Sequence, residues 1–425
     1  MAVFRSVRLW HWCIFLLVLL ATGCTASGRE RVVEHQIPRL YGAEDSQFFR
    51  TMGSLLGTGI LDGNRVEVLL NGDEIFPAML EAIRSAKTTI TFETYIYWSG
   101  SIGGEFTNAL AERARAGVKV HVLLDWLGSN NMDASHLSLM EQAGVQVWRY
   151  NKPHWYKFGR LNNRTHRKML VVDGQIGFTG GAGIADQWTG HAQDPDHWRD
   201  SHYRIQGPVV AQMQAVFMDN WIKVSGEVLH GPEYFPPLQP VGEGFAHVTS
   251  SSPSGGSQSM RLMYLLAITA ASRSIHISTP YFIPDALAIK ALTDAAERGV
   301  TVQIITVGHH TDLETVRRAS RARWGDLLEA GVEIHEYQPT MYHCKVMIVD
   351  GLWTTLGSAN FDPRSFSLND EANVSVYDVD FATAQIGIFK QDLAHSRQVI
   401  FQEWKDRPLA EKFWEHAASL LGSQF

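Results

Sequence analysis

The stretch His166-Arg-Lys-Met-Leu-Val-Val-Asp173 contains a pattern, His-x-Lys-x4-Asp, that returns as His343-Cys-Lys-Val-Met-Ile-Val-Asp350. A turn of small residues follows each copy at the same distance, Gly180-Gly181 in the first and Gly357-Ser358-Ala359-Asn360 in the second. A single match could be a structural hairpin with an incidental histidine, but two copies with the same spacing and flanks indicate a duplicated half-site. We therefore expect the two histidines to meet where two similar halves of the chain meet.

Each copy of the motif predicts a β-hairpin. In the first copy, Met169 to Val172 form a short apolar strand, Asp173-Gly174 is a turn dipeptide, and Gln175 to Thr179 read as a returning strand. The second copy repeats this pattern from Val346 to Leu356. Side chains two positions apart on a strand share a face, so each hairpin should present an imidazole beside an ammonium group.

The residue types of the motif suit phosphodiester chemistry. Lys168 and Lys345 can each hold a phosphate oxygen as a point charge. A histidine can act as a nucleophile or as a general acid. Asp173 and Asp350 are expected to orient the histidines, as the third group of a catalytic triad does. Two facing half-sites would supply one histidine that attacks phosphorus and one that protonates the departing alkoxide.

Helices and strands alternate in the same order around both motifs. Hydrophobic periodicity predicts these elements: a helix over Glu74–Lys87 with Asp73 as its N-cap, a strand over Thr89–Tyr97, a helix over Gly104–Ala116 and a strand over Val118–Leu124, then a helix over Met260–Ala271, a strand over Ser274–Ser278, a helix over Asp285–Arg298 and a strand over Val300–Val307. This order predicts an α/β fold of two pseudo-symmetric halves, each a mixed sheet flanked by helices, with the active site at their interface.

Length and composition predict the domain organisation. A chain of 425 residues can form two α/β halves with sizeable cores. The expected segments are a leader at 1–24, an N-terminal extension at 25–60, a first half at 61–231, a linker rich in Pro, Gly and Ser at 232–256, and a second half at 257–425.

The N-terminus carries the signature of an export or anchoring segment. Arg5 and Arg8 precede an apolar run from Trp12 to Leu20, whose length suits a signal peptide better than a membrane span. The ending Ala21-Thr-Gly-Cys24 resembles a bacterial lipoprotein processing site with Cys24 as the lipidated residue, and an uncleaved signal anchor is the alternative. Both predict attachment through the N-terminus to a membrane of the bacterial cell envelope, facing the periplasm.

Charge and histidine content narrow the range of partners. The net charge of −7 disfavours nucleic acid, whose binding surfaces are usually broadly basic. Locally, basic and aromatic residues alternate from Lys152 to Lys168, which suits lipid headgroups at a membrane surface. The 18 histidines show no tight ligand spacing, so no metal and no other cofactor is expected.

The duplicated motif resembles that of the phospholipase D superfamily, and within it the chain resembles the bacterial cardiolipin synthases. The resemblance runs from about residue 60 to residue 425 and extends to further stretches: Leu70–Glu74, Ala82–Lys87, Glu93–Ile96, Thr279–Pro284, Ser365-Phe366 and Leu368–Glu371. The family usually has Asn three residues after the first glycine of each turn. Asn360 meets this pattern in the second copy, whereas Gly183 departs from it in the first.

The resemblance implies roles for particular residues. His166 would be the nucleophile and His343 the acid and base, although the pseudo-symmetry of the site leaves that order open. Lys168, Lys345 and Asn360 would stabilise the oxygens of a pentacoordinate phosphorus. The turn residues Gly181 and Ser358 would lie beside the phosphate. Independently of the resemblance, Glu371 is the better of two carboxylate candidates for holding a catalytic histidine, and Asp200 is the weaker.

The implied activity is phosphatidyl transfer through a phosphohistidine, with phosphatidylglycerol as acceptor and cardiolipin as product. Two alternatives remain open at this point. One is a hydrolytic phospholipase D or phosphodiesterase, including a nuclease, with water as acceptor. The other is a membrane lipoprotein that binds anionic lipid through a retired site, which the intact motifs disfavour. Pocket shape determines which acceptor is used.

Overall fold

The computed structural model of the protein describes residue 39 and residues 41–152, 163–253 and 258–420. All of these belong to one compact unit, Ile37–Phe425. The expected leader with Cys24 lies outside the described residues, as does the part of the basic, aromatic segment between 153 and 162.

The first half begins with a helix and then alternates strands and helices. Its elements are α1 (Ser46–Leu56), β1 (Leu61–Leu70), α2 (Asn71–Ser85), β2 (Thr89–Thr94), α3 (Ser101–Arg115), β3 (Lys119–Asp125), α4 (Ala134–Gln142), β4 (Gln146–Tyr150), β5 (Arg164–Thr165), β6 (Met169–Val172), β7 (Ile176–Gly180), a 3₁₀ turn (Asp186–Trp188), β8 (Ser201–Gln206) and α5 (Val210–Ser225).

The second half repeats that order and adds elements at its end. It contains β9 (Gly244–Ser251), α6 (Ser259–Ala270), β10 (Ser274–Ser278), α7 (Ala286–Glu297), β11 (Thr301–Val307), α8 (Glu314–Arg321), α9 (Gly325–Glu329), β12 (Glu333–Tyr337), β13 (Val346–Val349), β14 (Trp353–Gly357), α10 (Pro363–Ser367), β15 (Asn369–Tyr377), α11 (Val379–Ala394), β16 (Ser396–Gln398), α12 (Phe401–Asp406) and α13 (Leu409–Ser419).

The strands form one hydrogen-bonded path in the order β16-β12-β11-β10-β13-β14-β15-β9-β1-β8-β7-β6-β2-β3-β4. Pairing is parallel in β2-β3-β4 and in β10-β11-β12, and antiparallel between the other neighbours on the path. The two halves therefore have the same strand order and meet where β1 pairs with β9. This confirms the predicted α/β fold of two similar halves, each with a mixed sheet.

Aromatic side chains of two helices pack against the parallel strand β2 of the first half. Every residue of β2 is buried, and Phe92 on this strand packs against Phe106 of α3 with ring centroids 6.0 Å apart. Phe76 of α2 contacts the same Phe106 ring edge-on at 5.9 Å. Burying one such aromatic side chain stabilises the fold by about 1.5–3 kcal/mol. The helices thus cover the sheet and hold its central strands in place.

The two motif hairpins have the predicted form. β6 pairs antiparallel with β7, and β13 pairs antiparallel with β14. Asp173 and Gly174 both have positive φ angles, 53° and 63°, and Asp350 and Gly351 repeat this at 54° and 64°. Two consecutive residues with positive φ make a type I′ turn, which matches the twist of a tight hairpin.

The predicted N-cap Asp73 and the predicted linker 232–256 are wrong. Helix α2 begins at Asn71, so Asp73 lies in its first turn and is not its N-cap; Glu74 accepts a hydrogen bond from Leu70 N at 2.8 Å instead. The segment 232–256 is also more than a linker, because β9 lies within it and pairs with both β1 and β15. Its serines suggested a loop, yet Ser251 is buried and its hydroxyl bonds to backbone oxygens.

Candidate active site

The two motif histidines line one cavity of about 590 Å³. His166 and Lys168 come from the first half, and His343 and Asn360 from the second. The rest of the lining includes nine aromatic and aliphatic residues, Tyr95, Ile96, Trp98, Leu127, Trp188, Trp198, Tyr281, Leu313 and Val316, and six polar or charged ones, Arg164, Gln187, Asp312, Asp362, Arg364 and Asn369. A cavity with both polar and apolar walls fits a ligand that carries both a charged group and hydrocarbon.

Each motif reaches the cavity by pairing with the opposite half. Strand β5, just before His166, runs parallel to the start of β15, and His166 N donates to Asp370 O at 2.9 Å. In the equivalent arrangement of the second motif, Tyr342 forms a parallel bridge with Arg199, and His343 N donates to Arg199 O at 2.8 Å. The backbone of one half therefore positions the histidine of the other.

The carboxylates that hold the histidines are exchanged in the same way. Glu371, in β15 of the second half, lies 2.9 and 3.1 Å from His166 Nδ1. Asp200, just before β8 of the first half, lies 2.7 Å from His343 Nδ1. A carboxylate on Nδ1 favours the tautomer with the proton on that atom, which leaves the lone pair of Nε2 on the opposite side of each ring. Nε2 of His343 lies 3.1 Å from Lys345 Nζ, which can donate to it.

Different neighbours hold the two carboxylates. Glu371 accepts hydrogen bonds from Ser358 Oγ at 2.6 Å, Ser365 Oγ at 3.0 Å and Asn369 Nδ2 at 3.2 Å. Asp200 accepts one from the indole Nε1 of Trp188 at 2.9 Å and one from the backbone N of Ser201 at 2.8 Å.

The glycines of the first turn are required by close packing. A Cβ on Gly181 would stand 2.1 Å from Asp200 Oδ1, so the carboxylate fills the place that the Ser358 side chain occupies in the second half. A Cβ on Gly183 would stand 2.8 Å from Ile96 Cβ and 3.3 Å from the Trp188 ring. Apolar side chains therefore leave no room there for the asparagine that the family pattern expects.

Both histidines have strongly lowered pKa values. Burial lowers the pKa of His166 to about 4, with Lys168 and Lys345 acting in the same direction and Glu371 against it. Burial and Lys345 lower the pKa of His343 to about 3, and Asp200 only partly offsets them. Both imidazoles are therefore neutral at neutral pH, and a neutral imidazole is the nucleophilic form.

The carboxylates respond to the same charges. Burial alone would raise the pKa of Glu371, but His166, Lys168 and Ser358 outweigh it, and the pKa falls below its ordinary value. For Asp200, burial is likewise outweighed by His343, Lys345 and Trp188. Both orienting groups are thus held as carboxylates.

Each motif lysine is folded back towards its own histidine. Lys168 Nζ donates to His166 O at 2.9 Å, and Lys345 Nζ donates to His343 O at 2.7 Å. Burial lowers the pKa of Lys168 to about 7 and that of Lys345 to about 8, and the charge of Lys345 contributes to the shift of Lys168. A phosphodiester anion between the two ammonium groups would relieve this repulsion.

The motif aspartates do not orient the histidines, so that prediction is wrong. The Asp173 carboxylate accepts from the backbone N of residues 87–89, at 2.7–3.1 Å, and from the Thr88 hydroxyl. Asp350 accepts from the backbone N of residues 272–274 and from the Ser272 hydroxyl. Each aspartate lies in the turn of its hairpin and anchors that turn to the start of β2 or β10. Strand β6 or β13 separates the aspartate from its histidine, so the two side chains cannot meet.

Other predicted site residues have different placements. Asn360 lines the cavity, and its buried Oδ1 has no hydrogen-bond partner among the residues that the structure describes. Arg167, which belongs to the basic segment before the motif, is fully buried and donates to Val216 O at 2.7 Å. Arg167 therefore stabilises the interior and cannot contact a lipid headgroup. Within the described ranges, no group of three or more His, Cys, Asp or Glu side chains is arranged to hold a metal ion.

Several cavity residues could not be recognised from the motif alone. The Tyr95 ring packs edge-on against His166 with centroids 5.1 Å apart. Trp188 and Trp198 pack against His343 at 5.3 and 5.5 Å. The Tyr281 hydroxyl donates to Asp312 at 2.7 Å on the cavity wall. The repeat, which aligns the ends of β2 and β10, could have indicated Tyr95 and Tyr281. Trp188 and Trp198 could be considered from the sequence as lining of an acyl path, but buried packing was the preferred interpretation.

The comparisons with known proteins agree with this architecture. The family described as "Cardiolipin synthase, PLD-like domain" matches residues 79–221 and 264–393, one segment in each half. The cardiolipin synthase of Geobacillus kaustophilus (strain HTA426) is 33% identical over 361 residues, which are 84% of this chain and 72% of that protein. The major cardiolipin synthase ClsA of Bacillus subtilis (strain 168) is 33% identical over 411 residues, or 93% of this chain and 84% of that one.

A solved structure shares the fold. The crystal structure of phosphatidylserine synthase from Haemophilus influenzae Rd KW20 superposes with a TM-score of 0.69, at 15% identity, and the match covers 88% of this chain and 99% of that one. At this identity the likeness concerns the fold alone. The family match in both halves and the curated relatives carry the assignment: the chain belongs to the cardiolipin synthases of the phospholipase D superfamily.

Proposed function

We propose that the protein is a phosphatidyltransferase that makes cardiolipin from phosphatidylglycerol through a phosphohistidine. The observation that carries the proposal is the crossed pair His166–Glu371 and His343–Asp200 in one cavity. Two neutral imidazoles, each held through Nδ1, provide one group to attack phosphorus and one to move a proton.

In the first step, Nε2 of His166 attacks the phosphorus of a donor phospholipid. His343 is neutral in the free site, so binding of the phosphodiester anion must first favour uptake of a proton on its Nε2. A P–N bond then forms while the P–O bond to the headgroup alcohol breaks, and the imidazolium Nε2–H of His343 gives its proton to the departing oxygen. Lys168, Lys345 and Asn360 would stabilise the charge that develops on the non-bridging oxygens; Lys168 and Asn360 line the cavity. The phosphodiester anion raises the pKa of His343, which supports its protonation when substrate is bound.

In the second step, the acceptor replaces the released alcohol. His343 takes the proton of an acceptor hydroxyl, the oxygen attacks phosphorus, and the P–N bond breaks so that its electron pair returns to His166. A hydroxyl of phosphatidylglycerol gives cardiolipin, whereas water gives phosphatidic acid. The aromatic and aliphatic lining, including Leu127 and Leu313, favours an acceptor that brings acyl chains into the cavity.

A rapid-quench experiment tests the intermediate. Phospholipid labelled in phosphorus should leave acid-labile, base-stable label on the peptide that contains His166. Label on the His343 peptide would reverse the assigned order, and absence of label under single-turnover conditions would contradict a covalent intermediate. A chelator should leave the rate unchanged, and loss of activity that a divalent metal restores would overturn a mechanism without metal.

The acceptor is tested by product partition. Raising the phosphatidylglycerol concentration should divert product from phosphatidic acid to cardiolipin without changing the rate at which label forms. Accumulation of phosphatidic acid with no cardiolipin at any phosphatidylglycerol concentration would identify a hydrolase instead.

We also propose that the N-terminal segment attaches the enzyme to a membrane of the cell envelope, on the periplasmic side. Among the residues that the structure describes, no helix is both long and apolar enough to cross a bilayer. The proposal rests on the sequence around Cys24. A labelled fatty acid should be incorporated into the protein, and Cys24→Ser should abolish incorporation. Unlabelled protein that retains Met1 would favour a signal anchor.

A further inference from the structure

Helix α13 buries part of its charged side against the protein and exposes apolar side chains to solvent. Its buried side includes Glu415, which is 1% exposed, whereas Leu409, Phe413 and Leu420 are 81%, 65% and 76% exposed. These three residues are spaced by four and seven positions, so with 3.6 residues per turn they form one outward stripe at the helix and its C-cap. Trp414 lies about 100° round the helix from Phe413, at the border of the exposed face, and is 58% exposed.

Ion pairs explain how the polar side is buried. Glu415 pairs with Arg321 Nε of α8 at 2.9 Å and with Arg407 Nε at 2.6 Å. Arg321 also pairs with Glu336 at 2.9 Å. The charged face of α13 is therefore used internally, and the rotation of the helix that these pairs require turns its apolar face outward. A surface helix of a water-exposed protein normally has the opposite orientation.

A cationic groove lies next to the apolar stripe. The groove, about 400 Å³, is lined by Trp404, Lys405, Arg407, Lys412 and His416, together with Ala322. Within the described part of the chain, Lys405 and Lys412 have no carboxylate partner at ion-pair distance, unlike Arg407. The exposed acids Glu403, Asp406 and Glu411 lie on the same two helices but do not line the groove, so the positive charge is confined to the groove itself.

The stripe also leads towards the mouth of the active-site cavity. Arg321, at the C-terminal end of α8, contacts the first turns of α13 through Glu411 and Glu415. Ala418, near the end of α13, shares an apolar cluster with Val316, which lines the cavity. The two helices are thus antiparallel, and the end of α13 that bears Leu420 lies nearest the cavity wall. Leu313, beside Val316, is 49% exposed and lines the same cavity.

We propose that the exposed face of α12 and α13 docks on the surface of an anionic phospholipid bilayer. Leu409, Phe413, Trp414 and Leu420 would enter the boundary between headgroups and acyl chains, and Lys405 and Lys412 would bind lipid phosphates in the adjoining groove. Docking would hold the cavity mouth against the layer that supplies the substrate. The purpose assigned to the docking rests on the proposed function, although the docking itself does not.

Hydrogen–deuterium exchange on the full chain tests the docking. The chain would be incubated with vesicles of phosphatidylglycerol and phosphatidylcholine, with phosphatidylcholine vesicles, or without lipid. Exchange in the peptide covering residues 409–420 should slow with the anionic vesicles only. Equal exchange in all three samples would overturn the proposal. Equal slowing by pure phosphatidylcholine would overturn the role of the cationic groove, and slowing without lipid that grows with protein concentration would identify a second copy of the chain as the occupant.

Matched substitutions separate the apolar and the charged contributions. Phe413→Ser with Leu420→Ser should weaken the protection by about tenfold or more in lipid concentration. Leu55→Ser, at a residue 55% exposed on α1, is the control and should change nothing. Lys405→Glu with Lys412→Glu should remove the preference for phosphatidylglycerol, whereas Arg115→Glu, an exposed charge reversal on α3, should keep it.

Turnover distinguishes failure of this inference from failure of the proposed function. The His166→Ala variant should dock like the unmodified chain, because docking does not need the chemistry. Phe413→Ser with Leu420→Ser should slow transfer from vesicle-borne phosphatidylglycerol by about tenfold, yet leave the rate on a short-chain, monomeric phosphatidylglycerol unchanged. Equal loss on both substrates would indicate damage to the fold and overturn the assignment, whereas docking without any cardiolipin would contradict the proposed function only.

Discussion

The two half-sites share a backbone plan but hold their histidines differently. His166 is held by Glu371, which three polar side chains support, whereas His343 is held by Asp200, which an indole and a backbone N–H support. The longer carboxylate occurs where the turn carries Ser358, and the shorter one where the turn carries Gly181. The Asp200 carboxylate occupies the position that the Ser358 side chain has in the other half. The carboxylate and the turn residue therefore differ together between the two halves. Duplication therefore conserves where a histidine is placed, while the groups that hold it can differ.

The largest effect should come from the histidines. His166→Ala should remove turnover and labelling on every substrate, because the nucleophile is lost. His343→Ala should slow transfer from natural phospholipids by about 10²–10⁴-fold, yet it should still form the labelled intermediate from a substrate with a p-nitrophenol leaving group, which needs no acid. Single-turnover labelling of both variants measures the contrast. Equal behaviour on the activated substrate would show that the half-sites are not specialised.

The exchanged carboxylates come next in effect. Glu371→Gln and Asp200→Asn each remove the charge that fixes a histidine tautomer, so kcat should fall by about 10²–10⁴-fold in both. On the activated substrate, Asp200→Asn should be milder because it impairs the acid and not the nucleophile. Circular dichroism of each variant checks that the fold persists. If Asp200→Asn were as damaging on the activated substrate as Glu371→Gln, Asp200 would also be acting on the nucleophile.

The turn residues should respond asymmetrically. Gly181→Ser inserts a Cβ where Asp200 Oδ1 lies only 2.1 Å away, so the carboxylate must move off His343 and activity should fall by roughly 10–100-fold. Ser358→Gly removes one of the three side-chain donors to Glu371 and should cost only about 1 kcal/mol. Steady-state kinetics of the two variants compare them directly. A mild Gly181→Ser would show that Asp200 can shift without losing its histidine.

The lysines predict a pH dependence of anion binding. Lys168, with a pKa of about 7, should lose its charge before Lys345, with a pKa of about 8. Each ammonium is charged below its pKa and neutral above it, so inhibition by sulfate, whose own charge is constant in this range, should weaken as the pH rises from 6 to 9. Lys168→Met should remove the lower step and Lys345→Met the upper one. Inhibition that does not vary with pH would contradict both pKa shifts.

The smallest effect on catalysis should come from the motif aspartates. Asp173→Asn and Asp350→Asn weaken the anchor of a hairpin turn, so each should lower the free energy of unfolding by about 1–3 kcal/mol while turnover per folded molecule is unchanged. Asn tolerates the positive φ at both positions. Asp350 is 3% exposed, so its variant should be the less stable of the two. A fall in kcat with no loss of stability would restore the orienting role that the hairpin geometry excludes.

The sequence was sufficient to predict the duplication, because spacing within a hairpin is a local property. The strand Met169–Val172 was predicted at its observed bounds, and Ser274–Ser278 likewise. The role of the aspartates was predicted wrongly, although the predicted strand already argued against it. Asp173 lies at one end of β6 and His166 beyond the other, and a strand that rises about 3.3 Å per residue keeps their side chains apart.

Long-range pairing accounts for the other differences. Asp200 was ranked below Glu371, although both follow a motif by a similar gap and each holds a motif histidine. The contact of Asp200 with His343 accompanies the bridge between Arg199 and Tyr342, and pairing between the halves cannot be read from local sequence. Strand β9 was taken for a linker because its serines and glycine resemble a loop. In the fold, β9 has partners on both sides, so its polar residues are satisfied within the sheet.

The pairing of β5 with β15 also concerns the chain while it is being made. The ribosome synthesises His166 long before Glu371. Strand β15, with which β5 pairs, is among the last parts of the sheet to emerge from the ribosome. A nascent first half therefore carries its nucleophile without the carboxylate that holds it. Chemical competence should arrive in a single late event, when β15 is in place. A partly synthesised or truncated chain would thus be inert towards the lipids around it.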